Sequence, residues 1–176
     1  MCPPEVRNGA VLIDLFKKLA MDQSKWVKMA TFQYLGPFIA TYEGIDPINP
    51  VLIDSYISML EQNKSSAPDN EVPYHCAYNF PAVLLTLGKK YWPKLSPLFD
   101  TLVKDSRWKV RRTLSFSLHE VAKILGPDLA EKELLNVMFN FLKDIAEVRE
   151  GASLGLPKFI EVLHPADRET LIEKLS

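Results

Sequence analysis

Two short runs in this chain carry residues of the types that do chemistry, and both lack the spacing. His119-Glu120-Val121-Ala122-Lys123 begins like the helix of a zinc protease, in which two histidines four residues apart hold the metal and the glutamate serves as base. Lys123 stands where the second histidine is required, so one ligand is missing. His75-Cys76 sets an imidazole beside a thiol, yet adjacent helical residues point about 100° apart and cannot act together as base and nucleophile. The glycines are scattered and build no phosphate loop. No catalytic residue, metal ligand or cofactor is implied.

A different chemistry, that of recognition, recurs in three polar segments. They read Asp22-Gln23-Ser24-Lys25-Trp26-Val27-Lys28, Asp105-Ser106-Arg107-Trp108-Lys109-Val110-Arg111-Arg112 and Asp144-Ile145-Ala146-Glu147-Val148-Arg149. Each has an acid ahead of a valine and a base just after it. The acid, or a neighbouring serine, is expected to cap the helix that follows. The base is expected to reach the acid of an adjacent segment, so that Asp22, Lys28, Asp105, Arg111, Asp144 and Arg149 form a ladder of polar contacts. Pro73 replaces the base at a fourth, related position, where the ladder should break. Arg107, Lys109 and Arg112 do not fit this scheme, because cations at a helix N-terminus oppose its positive end. With Trp108 they make a cationic and aromatic cluster of the sort that anchors protein interfaces, and Lys25 with Trp26 repeats it. Two alternatives stand: side chains offered to a partner, or tryptophans buried between repeated units with their cations in solvent.

The elements that position these segments follow from apolar spacing. Counting from Val27, Val72, Val110 and Val148, apolar residues fall at offsets 0, 4, 8, 11, 12 and 15 with few exceptions, which traces one face of a helix. The anchors are 45, 38 and 38 residues apart. A shorter helix precedes each, marked by Leu12-Leu15-Phe16-Leu19, Ile53-Tyr56-Ile57-Leu60, Leu95-Leu98-Phe99-Leu102 and Leu134-Val137-Met138-Phe141. The chain is therefore expected to be all-α, an α-solenoid of about four helical hairpins, each a short helix A and a longer helix B. A period of ~40 residues with two helices per unit points to HEAT repeats.

Turn residues place the units at about 4–43, 49–89, 93–126 and 131–164, with 166–176 starting a further one, as a single continuous array over 1–176. The first helix A is expected to start at Pro3-Pro4, and 62–71 to be an extended exposed loop. Pro37, Pro81 and Pro157 fall inside B helices and should bend them, curving the array into a right-handed superhelix. Neither end reads as a polar cap, so the chain is expected to belong to a longer array.

Composition bounds the function further. The 176 residues are 47% hydrophobic, enough for a continuous core, and carry a net charge of −1. That charge gives no drive toward nucleic acid or membrane, and no run approaches the ~20 apolar residues of a membrane helix. Cys2 and Cys76 are too few for a disulfide framework, and Cys76 lies on the apolar stripe, which fits a reducing compartment, cytoplasmic or nuclear. The expected partner is a protein.

Asp105 to Arg112, followed by Leu118-His119-Glu120-Val121-Ala122-Lys123-Ile124-Leu125-Gly126-Pro127, resembles the HEAT units of the protein phosphatase 2A and 4 regulatory and scaffold subunits. Trp26-Val27-Lys28-Met29-Ala30-Thr31 through Leu35-Gly36-Pro37-Phe38 is similar to them as well. The resemblance implies a noncatalytic subunit that binds a serine/threonine phosphatase catalytic subunit through turns inside each repeat, with Lys25, Trp26, Arg107, Trp108, Lys109 and Arg112 as the contact candidates. A HEAT-type nuclear transport receptor, or another protein interaction scaffold, is the alternative.

Overall fold

A computed structural model describes residues 3–7, 9–45, 47–62 and 70–175. All regular structure among them is helical. In chain order the helices are α1 (Pro4–Arg7), α2 (Ala10–Ala20), α3 (Lys25–Ala40), α4 (Pro50–Gln62), α5 (Val72–Leu87), α6 (Trp92–Val103), α7 (Trp108–Leu125), α8 (Pro127–Leu129), α9 (Leu135–Leu142), α10 (Ala146–Val162) and α11 (Pro165–Leu175). A 3₁₀ turn, Lys89–Tyr91, leads into α6, and a π turn, Ala130–Leu134, joins α8 to α9. The expected loop at 62–71 falls largely outside the described residues.

The helix starting at the proline pair ends after one turn. It stops at Arg7, and α2 begins anew at Ala10 behind an extended Gly9. Pro37, Pro81 and Pro157 all lie inside α3, α5 and α10, and Pro97 does the same in α6. Gly88 and Gly126 end α5 and α7 with φ of 79° and 83° and ψ of 165° and 171°, a conformation open to glycine alone, and each donates its amide to the carbonyl four residues back.

Packing divides the chain into two compact units, residues 1–98 and 99–176. In the first, α3 lies along α5, with α2 against α3 and α4 against α3 and α5. Its core is built from Leu35, Ile39, Tyr42, Leu52, Tyr56 and the whole stripe of α5: Val72, Cys76, Phe80, Val83, Leu84 and Leu87 are buried. The stripe of α3 is only partly so. Leu35, Ile39 and Tyr42 are buried with the off-stripe Phe32, whereas Val27, Thr31 and Phe38 are half-buried. Those three line an open apolar groove of about 500 Å³ with Leu12, Leu15 and Leu19, and Leu15 and Leu19 are exposed.

In the second unit, α7 lies along α10 and α9 packs on both. Val110, Leu114, Leu118, Val121, Ala122 and Leu125 are all buried, as are Val148, Ala152, Phe159 and Leu163. Leu156 and Ile160 are half-buried. The close approach of α7 and α10 depends on Gly151 and Gly155, four residues apart and therefore on one face of α10. A Cβ at Gly151 would run into the Phe116 ring and Ser115 Oγ, and one at Gly155 would stand 3.0 Å from His119 Nδ1. The first unit uses the same device, since a Cβ at Gly36 of α3 would collide with Asn79 of α5.

Candidate functional site

The turn before α7 is organised by Asp105. Its carboxylate accepts the Arg107 backbone amide (2.8 Å) and two hydrogen bonds from the Arg107 guanidinium, from Nε at 2.8 Å and Nη2 at 2.6 Å. Burial pushes the Asp105 carboxyl up, but these hydrogen bonds and the nearby guanidinium charges outweigh it and hold the group below its ordinary value. The expected helix caps do not form. Asp105 sits two residues ahead of the N-cap position, which Arg107 occupies, and Asp22 stands in the same relation to Ser24, accepting its amide at 2.8 Å. Neither N-cap side chain bonds the first turn. Each aspartate thus fixes the entry of the chain into its helix by closing a turn on a backbone amide two residues on.

One rung of the expected ladder is present. Arg111 Nε meets Asp144 Oδ2 at 2.7 Å and Arg111 Nη2 meets Asp144 Oδ1 at 2.8 Å, a two-pronged ion pair with both side chains 18% exposed. Its Nη1 donates to the carbonyls of Asp105 (2.8 Å) and Ser106 (3.2 Å). One guanidinium therefore ties the turn before α7 to the turn before α10. The Arg111 hydrogen bonds hold the Asp144 carboxyl below its ordinary value, and Asp144 in return raises that of Arg111. Lys28 and Arg149 form no ion pair among the described residues. Lys28 is half-buried and Arg149 is exposed.

Neither Trp26 nor Trp108 is buried within the chain. Trp26 is 68% exposed and Trp108 40%, while the third, Trp92, is buried with its edge toward Phe80. Lys25 lies over the Trp26 ring at 5.6 Å, and Arg112 stacks on Phe116 at 4.6 Å. Lys109 is exposed, and Arg107 keeps 43% of its side chain in solvent while held by Asp105. Arg112 and Phe116 are four residues apart on α7, the spacing that brings two helical side chains together, so this contact was readable from the sequence although the reading of the cations passed it over.

The two runs that imitate catalytic motifs are accounted for by packing. The Cys76 thiol is buried and pushed up to about 12 by that burial, so it is inert, and Tyr56 donates to the Cys76 carbonyl at 2.8 Å. His75 turns away to pair with the Gln33 side chain at 2.6 Å. His119 is half-buried, with Nδ1 unpartnered against Gly155. Burial lowers its pKa, Glu120 acts to raise it and Lys158 to lower it. The structure also gathers Glu131, His164 and Asp167, with candidate ligand atoms within 4.8 Å of one another. There His164 donates its backbone amide to Glu131 at 2.6 Å and pairs with it through the ring at 3.0 Å, which raises the imidazole pKa.

Residues 76–176 match the family described as the protein phosphatase 4 regulatory subunit 1 middle domain. The chain belongs to this family. Over 130 residues, 74% of the chain, it is 42% identical to the human serine/threonine-protein phosphatase 4 regulatory subunit 1, and equally so to the mouse protein. The human serine/threonine-protein phosphatase 4 regulatory subunit 4 is 31% identical over 122 residues, 67% of the chain. The match spans 14% of the length of the subunit 1 relatives and 13% of the subunit 4 relative. The family match contains α7, α10 and the Arg111 to Asp144 bridge, and stops short of Trp26. Among the described residues no helix is long and apolar enough to cross a membrane.

Proposed function

We propose that this chain is a noncatalytic part of a regulatory or scaffold subunit, and that it holds a serine/threonine phosphatase catalytic subunit through the turns that precede its longer helices. In this reading its hairpins stack as one continuous HEAT array, curved as a right-handed superhelix, working in the cytoplasm or nucleus. Lys25, Trp26, Arg107, Trp108, Lys109 and Arg112 make the contacts, and Arg111 with Asp144 keeps two turns in register. The observation that carries it is the exposure of Trp26 and Trp108 at corresponding turns, each beside exposed cations, in a chain whose relatives are named phosphatase 4 regulatory subunits. Large aromatics left in solvent beside cations are the residue types that dominate interface energetics.

The test is co-purification of phosphatase 4 catalytic subunit with the chain and with Trp26→Ala/Trp108→Ala and Arg107→Glu/Lys109→Glu variants. Capture should fall by at least about tenfold for each pair, while helical circular dichroism and the melting temperature hold. Capture that survives both variants sinks the site.

A further inference from the structure

We propose that the turn edge of the second unit docks an acidic segment of a partner protein, which rests on the regulatory-subunit reading and supplies the partner's chemistry. On this edge positive charge is left over after the fold has used what it needs. Arg111 joins the turns before α7 and α10, so the groups flanking that bridge share one surface. On it, Asp105 is committed to Arg107 and Asp144 to Arg111. Lys104, Lys109, Arg112, Lys143 and Arg149 are all exposed and have no acidic partner among the described residues, against Glu147 and Glu150 on the same edge.

Lys104 and Lys143 follow α6 and α9, whose negative C-terminal ends favour a cation. Lys109 and Arg149 lie in the first turns of α7 and α10, and Arg112 just beyond the first turn of α7, where the fold offers no such compensation. Arg112 is held in place for a ligand, since its guanidinium rests on Phe116 and that ring is backed by Gly151 of α10. Trp108 and Ile145, 40% and 44% exposed, add apolar contact between the cations. Carboxylates from outside neutralise this excess. The chain as a whole carries −1 and so offers no overall attraction to a long polyanion, while the cations of this edge suit a short acidic protein segment.

The experiment measures fluorescence anisotropy of a fluorescein-labelled Asp/Glu-rich peptide with the whole chain and with Lys109→Glu/Arg112→Glu/Arg149→Glu, alongside an Asn/Gln peptide and a single-stranded RNA of similar length. Circular dichroism confirms that the variant is folded. The proposal expects the acidic peptide to bind, the Asn/Gln peptide not to, and the variant to bind at least about tenfold more weakly, with affinity falling as salt rises. Three results overturn it: no binding of the acidic peptide by the folded chain at low salt, binding that the variant retains, or tighter binding of the RNA that the variant loses. Catalytic-subunit capture is read on the same samples. If the unaltered chain binds the acidic peptide but does not capture the catalytic subunit, the phosphatase contact alone is sunk; if it captures the catalytic subunit but does not bind the peptide, the acidic dock alone is sunk.

Discussion

At the scale of single residues, Arg111 does the most structural work in the turns. It satisfies a carboxylate and two carbonyls that belong to separate segments, so its removal leaves three acceptors to find water. Arg111→Ala should cost about 1–3 kcal/mol in urea unfolding, whereas Arg149→Ala, exposed and unpaired, should cost under about 0.5 kcal/mol. Asp144 has a depressed pKa, so its contribution is present above the ordinary value of 3.8 and is lost as pH falls through the folded value; Arg111→Gln should flatten that acid limb of the melting curve. Two histidines act with opposite sign. His119 has a lowered pKa, so stability is full above 6.5 and declines as pH falls from there to the folded value. His164 has a raised pKa, so its stability is full below 6.5 and is lost as pH rises through the folded value. Melting temperatures between about pH 5 and 8 should lose the first dependence in His119→Gln and the second in His164→Asn. The acids and bases of the turns were legible in the sequence because they recur at fixed offsets. Which of them pair was not, because a side chain's reach across 33 residues depends on how the helices stack.

At the scale of elements, the B helices approach through glycine. Gly151→Ala gains up to about 1 kcal/mol of helix propensity but drives a methyl into Phe116 and Ser115, which costs roughly 1–3 kcal/mol, so a net loss is expected on thermal or chemical unfolding. Leu154→Ala on the exposed face of the same helix should change little. Apolar stripe positions differ in the same way. Leu114 is fully buried and its truncation to Ala should cost about 2–5 kcal/mol, while the half-buried Leu156 should cost less. A Lys123→Ala control is exposed and should be neutral within about 0.5 kcal/mol. Equal losses at Leu114 and Lys123 would mean that α7 is rotated about its axis. The helix starts and stops were readable from prolines, glycines and period; the short α1 and the π turn before α9 were not, because both are local breaks in an otherwise continuous pattern.

At the scale of the whole molecule, the repeated spacing specified an all-helical chain of paired short and long helices, and in each compact unit a long helix runs beside another long helix. The stripe is fully buried in α5 and α7 and only partly in α3 and α10. A longer array that places another hairpin against α2 and α3 should protect the amides of α3 more strongly than those of this chain do alone, a difference that hydrogen exchange on the two proteins would measure; equal protection would mean that the open groove stays open. By itself, the sequence determined the helices, their period, the absence of a complete catalytic motif and the position of the polar turns, because these depend on residue type and on spacing along one chain. Tertiary structure alone decided that Trp26 and Trp108 face solvent while Trp92 does not, that Asp105 closes its turn on Arg107, and that Arg111 reaches Asp144. The reason is physical: burial and pairing between segments far apart in the chain are set by the separation of helix axes, and here that separation is fixed by the missing Cβ atoms of Gly36, Gly151 and Gly155.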